Sequence, residues 1–414
     1  MRRLTLAIAA TAAAVAATPA SADTVTDWGE VAGRYGLAVQ AGLAPRMPGV
    51  ERATARTALA MFEAVNAIDR RYQSYLAVPQ GDPAASQDSA AATAAFRVLL
   101  AHYPANLTNL EESYAMTMAA IPDGPAKESG RLIGERAAEM AVSTRGLDPS
   151  IPQEAYRPRT SAGEWIGASL PTLESYWGAF TPWVATGRDE LAIPPPPPLG
   201  SERYARDYEE VRRLGGRTST ERTPAQTLIG RYREGYSLTP MVRYVTDRPG
   251  RSQVDNARLL ALYQMAADDA IQAMIVAKLR YNYWRPITAI RNGASDGNDS
   301  TAHDPAWVPL LGTPNFQEYP CGHCTGVAVQ AEVLRLIGGL PESTPVRVAS
   351  GSNPNLVLQT VASWDEVVRQ VSDSRIFGGV HYRFSNEAGE DIGRRAARLA
   401  VERALRPLPR RRRN

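Results

Sequence analysis

Residues 256–283 read NARLLALYQMAADDAIQAMIVAKLRYNY, the longest helical pattern in the chain. The stretch is rich in alanine, leucine and methionine, which favour helix, and neither proline nor glycine interrupts it. Its last part is mostly apolar and aromatic, so the helix is expected to be buried. The sequence therefore predicts a long, buried helix in the second half of the chain.

Shorter helical patterns occupy much of the remaining sequence. They are predicted at residues 52–69, 89–100, 130–143, 201–214, 223–232, 326–337, 363–371 and 387–403. Strand-like alternation is nearly absent, and no internal repeat is visible. The fold class is therefore predicted to be all-α, a helical-bundle architecture with long loops.

A run of five prolines at residues 194–198 cannot lie inside a helix and predicts an extended, proline-rich strap at residues 194–200. The strap separates an N-terminal helical region, residues 23–193, from a C-terminal catalytic helical domain, residues 201–405. Residues 406–414 form a basic tail, which we interpret as solvated.

The first 22 residues have the pattern of a signal peptide. Two arginines follow Met1, residues 4–17 are apolar, and Ala20-Ser21-Ala22 is a small-residue cleavage signal. The apolar run is too short to span a bilayer comfortably. The sequence therefore predicts a periplasmic or secreted protein without a membrane span.

The composition is that of an ordinary globular protein, with 44% hydrophobic and 21% charged residues among 414. This excludes a disordered or collagen-like chain. A formal net charge of +3 is too small to argue for nucleic acid as a partner.

Three segments of the second half concentrate groups that bind oxyanions. The first runs from Lys278, one of only two lysines among 46 basic residues, to Arg285. Seven residues make about two helical turns, so both cations are predicted to project from one face of one helix. A buried cation needs an anionic partner, which points to a bound anion.

The second and third segments supply further anion-binding groups. Residues 320–325 read PCGHCT and run into a predicted helix, whose first backbone amides are free to bind an anion. His323 in that turn could exchange a proton with the bound group. Residues 374–381 read SRIFGGVH, which combines the guanidinium of Arg375, a glycine pair that permits close backbone approach, and His381.

Together these segments resemble the signature shared by vanadium-dependent haloperoxidases and type 2 phosphatidic acid phosphatases, the acid phosphatase superfamily. The signature is a lysine, six residues and Arg-Pro; then Pro-Ser-Gly-His; then Ser-Arg, five residues and His. Residues 60–68, the strap, and residues 296–298 and 304–307 are also similar to bacterial members of the haloperoxidase branch.

The resemblance implies a vanadate cofactor, with phosphate able to occupy the same site. Vanadium would be bonded to His381, and His323 would be the acid–base group. The oxyanion would be held by Lys278, Arg285, Cys321, Gly322 and Arg375. Hydrogen peroxide and a halide would be the substrates, and homodimer formation is left open.

Two other functions stay open beside the haloperoxidase. A secreted acid phosphatase acting on small phosphate esters would use His381 to attack phosphorus and His323 to protonate the leaving oxygen. The third hypothesis is that the protein binds an oxyanion without catalysing a reaction. The phosphatase pattern places an aspartate four residues after the last histidine, to orient that histidine. This chain has Ser385 at that place, which counts against a phosphatase.

The cysteine pair admits several readings, because Cys321 replaces the serine of the family pattern and Cys324 follows closely. CGHC is also the sequence of a disulfide-isomerase site, but that chemistry normally needs a strand before the motif. Zinc would lack ligands. We therefore expect a Cys321–Cys324 disulfide that shapes the anion-binding loop.

Overall fold

The computed structural model describes most of the chain after the predicted signal peptide. It covers residues 23–40, 50–145, 158–167, 181–233, 236–237, 239–341, 343–350 and 359–409. The signal peptide and the last five residues of the predicted basic tail lie outside the described residues, so both stay predictions.

Among the described residues of the N-terminal region there are five α-helices, and the sequence explains where the third of them begins. They are α1 (Thr24–Gln40), α2 (Val50–Ile68), α3 (Gln87–His102), α4 (Leu107–Ala119) and α5 (Pro125–Arg145). The Ser86 hydroxyl caps α3 by accepting a 3.1 Å hydrogen bond from the Ser89 amide. The patterns at residues 52–69, 89–100 and 130–143 are confirmed as α2, α3 and α5, whereas α1 and α4 were not predicted.

Eight α-helices follow the strap in the part of this half that the structure describes. They are α6 (Glu202–Gly215), α7 (Pro224–Tyr232), α8 (Thr239–Thr246), α9 (Gln253–Tyr281), α10 (Pro286–Arg291), α11 (Gly322–Ile337), α12 (Trp364–Phe377) and α13 (Arg383–Arg403). Serine or threonine side chains cap α6, α7, α9 and α12. The predicted all-α class is confirmed, and every predicted helix in this half is present.

One small antiparallel sheet was not predicted. It contains β1 (Tyr236–Ser237), β2 (Val346–Ser350) and β3 (Gln359–Val361), in the order β1-β2-β3. In its register Val346 faces Val361, and Tyr236 faces Ser350. Strands of two to five residues are too short to produce a recognisable alternation of polar and apolar residues.

The long helix α9 lies at the centre of the fold. It packs against α2 of the N-terminal region and against α11 and α13 of the C-terminal half. By length and composition α9 could cross a membrane, but 72% of its most apolar stretch is buried inside the protein. A buried core helix explains this composition.

The proline run lies outside any helix, as predicted, and aromatic residues of the C-terminal half hold it in place. The Tyr281 hydroxyl donates to the Ile193 carbonyl, and the Tyr319 hydroxyl donates to the Pro194 carbonyl, each at 2.8 Å. The start of the strap is thereby fixed to the end of α9 and to the loop before α11. The proposed domain boundaries stay a prediction.

Helices α11 and α13 approach closely enough to require glycine at their contact. A Cβ atom on Gly389 of α13 would lie 2.4 Å from the Cys321 carbonyl oxygen and 3.2 Å from the Cys324 Cβ. Real Cβ atoms do not come so near a backbone oxygen, so a side chain here would push the loop at the start of α11 away from α13.

We predict that Gly389→Ala destabilises the protein by about 1–3 kcal/mol, because the added methyl group overpacks this contact. Gly33→Ala is the matched control, since Gly33 is also helical but its Cβ would meet no atom within 4 Å. Removing that glycine should stabilise the protein by about 0.5–1 kcal/mol. Urea denaturation followed by circular dichroism measures both changes, and a Gly389→Ala variant as stable as the parent would contradict the prediction.

Candidate functional site

The predicted oxyanion-binding residues converge in the interior of the C-terminal half. Lys278 lies in the last turn of α9, Arg285 just before α10, Arg375 in the last turn of α12 and His381 just before α13. All four side chains are buried, with at most 3% of their surface exposed. Burial, and then the charges of Arg285, Lys278, Arg375 and His323, hold the pKa of His381 well below its usual range. The structure thus brings the three segments into one site.

Lys278 and Arg285 do not share one helix, so that part of the sequence prediction is wrong. Helix α9 ends at Tyr281, and Asn282 adopts the left-handed conformation with φ 44°. Arg285 is extended, with ψ 153°, because the following Pro286 disfavours a helical residue before it. The chain therefore leaves α9 and enters α10 with both cations still directed to one site.

The imidazole of His381 is held at both nitrogen atoms. Its Nδ1 lies 2.8 Å from Oε1 of Glu318, and its Nε2 lies 3.1 Å from Nη1 of Arg285. Arginine only donates hydrogen bonds, so Nε2 accepts, and the ring proton lies on Nδ1 and is donated to Glu318. This tautomer leaves Nε2 without a proton, and its lone pair, which accepts the hydrogen bond from Arg285, is the nucleophilic site of the ring.

Glu318 is a site residue that the sequence did not predict. Its side chain is fully buried, and Oε1 also accepts a 3.0 Å hydrogen bond from the Tyr382 amide. Burial raises the pKa of Glu318 to about 7, whereas Arg285, Lys278 and the Tyr382 amide act in the opposite direction. A glutamate two residues before a proline has no sequence signal of its own, although its position beside the PCGHCT segment could have prompted its inclusion.

The ammonium group of Lys278 organises the loop before α11. Its Nζ donates to the carbonyls of Gln317 and Glu318, each at 2.9 Å, and to the carbonyl of Pro320. Burial, followed by the charge of Arg285, holds the pKa of Lys278 well below its usual range, and Glu318 opposes the shift. Lys278 therefore supplies positive charge to the site and also shapes the loop that leads to Gly322.

Arg285 supplies an open donor. Its Nε donates to the Phe316 carbonyl at 2.8 Å, and its Nη1 donates to the Val380 carbonyl at 2.9 Å. Its Nη2 is buried and has no hydrogen-bond partner among the residues that the structure describes. Such a group costs about 1–3 kcal/mol unless it is satisfied, so Nη2 indicates a place for a bound acceptor.

Arg375 is anchored at one edge of its guanidinium group. Its Nε contacts the Ser374 hydroxyl at 3.0 Å, and its Nη2 donates to the Arg233 carbonyl at 2.9 Å. The glycine pair that follows permits a close approach, as predicted, but the approach is to another helix. Gly379 has φ 78°, and a Cβ atom there would lie 2.5 Å from the Gly215 carbonyl at the end of α6.

The expected disulfide between Cys321 and Cys324 is present and closes the first turn of α11. Cys321 is the N-cap, and its sulfur accepts a 3.1 Å hydrogen bond from the Cys324 amide. Both residues are fully buried, which does not suit a thiol oxidoreductase that must reach other proteins. Zinc is disfavoured too, since sulfurs bonded to each other are not thiolate ligands, and no group of three potential metal ligands occurs among the described residues.

The disulfide changes how Cys321 can contribute to the site. A disulfide sulfur carries no proton, so it cannot donate the hydrogen bond that a serine hydroxyl at this position could give. Cys321 therefore acts as a helix cap and loop anchor, with its own amide donating to the Ser385 carbonyl at 3.1 Å. The half-buried His323 lies in the turn that the disulfide closes.

The residues of the site fit a tetrahedral oxyanion such as vanadate or phosphate. Lys278, Arg285 and Arg375 supply three positive charges, and Glu318 supplies one carboxylate. At Gly322 an added Cβ would meet only the Met274 side chain, 3.5 Å away, so there is room beside the backbone at the start of α11. The open Nη2 of Arg285 can donate to an oxygen of such an anion, whereas the Nε2 lone pair of His381 could bond only to its central atom, in place of the hydrogen bond from Arg285.

Comparisons with known proteins point to the vanadium-dependent haloperoxidases. A family model described as the VCPO second helical-bundle domain matches residues 258–409, which include Lys278, Arg285, Arg375 and His381. A vanadium chloroperoxidase of Curvularia inaequalis is 28% identical over 288 residues, which span 52% of this chain and 46% of the relative. The match thus spans about half the length of that protein.

Solved structures share the fold. A bacterial vanadium-dependent iodoperoxidase aligns with a TM-score of 0.74 at 20% identity, over 94% of this chain and 97% of its own. A holo-type bacterial vanadium-dependent chloroperoxidase aligns with a TM-score of 0.65 at 16% identity, over 84% and 90%. The resemblance to vanadium-dependent haloperoxidases that the sequence predicts is confirmed.

We predict that the native protein contains no titratable thiol. A thiol assay in denaturant without reductant should count none, and the same assay after reduction should count two, because the chain has only two cysteines and both are bonded. Two thiols in the unreduced sample would contradict the disulfide.

We also predict that Lys278→Arg weakens phosphate binding at least tenfold, although the charge is kept. A planar guanidinium cannot direct three donors at the same three carbonyls, and its extra volume must fit a fully buried position. Isothermal titration calorimetry with phosphate measures the effect. Lys127→Arg is the control, because Lys127 pairs with the exposed Asp123 at the surface; an affinity change shared by both variants would contradict a specific role for Lys278.

Proposed function

We propose that this protein is a vanadium-dependent haloperoxidase that uses hydrogen peroxide to oxidise a halide at a vanadate held by His381. The observation that carries the proposal is the arrangement around the His381 ring, where Glu318 fixes the proton on Nδ1 and leaves Nε2 as the bonding atom. The family match over residues 258–409 supports the same conclusion.

The residues of this chain would bind the oxyanion in two ways, through positive charge and through directed hydrogen bonds. Lys278, Arg285 and Arg375 would neutralise the oxyanion, and the Gly322 amide would add a directed donor. His381 would hold the cofactor through Nε2. When bound, vanadate would act as a Lewis acid that activates hydrogen peroxide for halide oxidation without changing its own oxidation state.

His323 would act as the acid–base group. It lies half-buried in the first turn of α11. Its charge contributes to the lowered pKa of His381, so the two imidazoles are close enough to influence each other's protonation. A histidine in this position can take a proton from a substrate as it binds and return it later.

An acid phosphatase is the second candidate, and the Glu318 contact removes the sequence argument against it. The sequence lacks the expected aspartate at position 385, but Glu318 provides a carboxylate on the same ring nitrogen. The missing aspartate is therefore no longer an argument against a phosphatase, in which His381 would attack phosphorus through Nε2. Phosphate esters would occupy the site because phosphate and vanadate share charge and shape.

We further propose that the protein is exported to the periplasm or the exterior, on the grounds of residues 1–22. Both substrates of the proposed reaction, hydrogen peroxide and a halide, are small enough to reach a buried site. Whether the protein acts as a homodimer is best measured by light scattering on the purified chain.

The decisive experiment compares two reactions in one preparation. The protein is loaded with orthovanadate and assayed for peroxide-dependent bromination of a phenol dye, and a vanadate-free sample is assayed for hydrolysis of a phosphate ester. We expect bromination that falls at least 100-fold in His381→Ala, since removal of the bonding atom should release the cofactor. His102→Ala, which removes a histidine outside the site, is the control variant.

Each outcome points to one function. Bromination no higher than in His381→Ala would refute the haloperoxidase. Ester hydrolysis that depends on His381 would establish the phosphatase instead. Tight phosphate or vanadate binding with neither activity would identify an oxyanion binder.

A further inference from the structure

We propose that Glu318 is the residue that positions the ring of His381. It would have the role that the phosphatase pattern gives to an aspartate four residues after the histidine, where this chain has Ser385. The inference deepens the proposed function and rests on it only for the identity of the vanadate ligand. The orienting carboxylate has thus moved from the helix that follows the histidine to the loop that precedes α11.

The backbone of Glu318 is fixed on both sides. Its amide donates to the Tyr283 carbonyl at 2.9 Å, and its own carbonyl accepts from Lys278 Nζ at 2.9 Å. The side chain is therefore presented from a rigid loop, and a buried carboxylate on such a loop can set the orientation of a ring that it contacts.

The side chain of Glu318 acts on His381 in two ways. Oε1 accepts from Nδ1 of the ring and also from the amide of the next residue, Tyr382. One oxygen thus fixes the ring and the backbone that carries it. Since rotation of the ring would break the first bond, Nε2 is kept toward Arg285 and the anion-binding groups.

Ser385 still lies at the place of the lost aspartate. Its hydroxyl is 3.4 Å from Nδ1 of His381, which is long for a hydrogen bond, and the residue is fully buried in the first turn of α13. A carboxylate at position 385 would reach further toward the same nitrogen. This geometry makes it possible to exchange the two carboxylate positions experimentally.

The test separates positioning from simple anion binding by using two probes. Vanadate binding needs the bond to His381, whereas phosphate binding needs mainly the cations. In Glu318→Gln we expect vanadate affinity to fall about 10–100-fold, the range typical for loss of such a supporting carboxylate. Phosphate affinity should stay within threefold or rise, because a negative charge has left a cationic site.

A relocated carboxylate should restore function. Glu318→Ala is expected to lose vanadate affinity like Glu318→Gln, and Glu318→Ala/Ser385→Asp should recover at least half of that loss on a logarithmic scale. Imidazole nitrogen NMR on the metal-free protein reports the ring directly: Nδ1–H should dominate in the parent and in the double variant, and a tautomer mixture should appear in Glu318→Ala.

Glu63→Gln is the matched control, because Glu63 of α2 is a buried carboxylate that also accepts backbone hydrogen bonds, from Tyr75 and Leu76. It should leave both affinities unchanged. A parallel loss of phosphate and vanadate affinity in Glu318→Gln would overturn the proposal and assign Glu318 a purely structural role. An unchanged tautomer in Glu318→Ala would overturn it as well. If the protein proves not to be a haloperoxidase, the NMR and the phosphate measurements still report on Glu318, so the two failures are distinguishable.

Discussion

The mutual repulsion of three buried cations is the constraint on which this fold depends. Lys278, Arg285 and Arg375 are enclosed with little exposed surface, so water cannot screen them. The protein compensates with backbone carbonyls around Lys278 and with the carboxylate of Glu318, and the open Nη2 of Arg285 leaves a place where a bound anion would complete the compensation. The same lack of screening would favour a compact, multiply charged oxyanion in the proposed function, because such a ligand would meet all three charges at once.

The helix α9 explains how the rest of the molecule supports this arrangement. It is packed between α2 on one side and α11 and α13 on the other, so its last turn is held from both halves of the chain. Lys278 in that turn donates hydrogen bonds to the loop before α11. The close contact between α11 and α13 at Gly389 holds the other end of the same loop.

The sequence predicted the features that depend on local chemistry. Strong helix formers located α9 and the other long helices, and the charged segments identified Lys278, Arg285, Arg375 and His381. It failed where structure depends on distant contacts. Nothing local to Glu318 shows that it meets a histidine 63 residues later, and the sheet strands are too short to leave a pattern. Arg285 was placed in a helix because the left-handed turn at Asn282 was not recognised, although Pro286 already indicated an extended residue before it.

The disulfide would have a chemical consequence if the protein uses hydrogen peroxide as proposed. Since both cysteines of the chain are bonded to each other and buried, no sulfhydryl group remains for peroxide or a hypohalous acid to attack. Oxidation would then fall on the methionine thioethers. The chain has nine methionines, one of which is Met1 of the predicted signal peptide. Met116, with 76% of its surface exposed on α4, would be modified early, whereas Met274 beside Gly322 is sheltered in the core. The molecule would accumulate its oxidative damage on the outside, far in sequence from the loop that the disulfide closes.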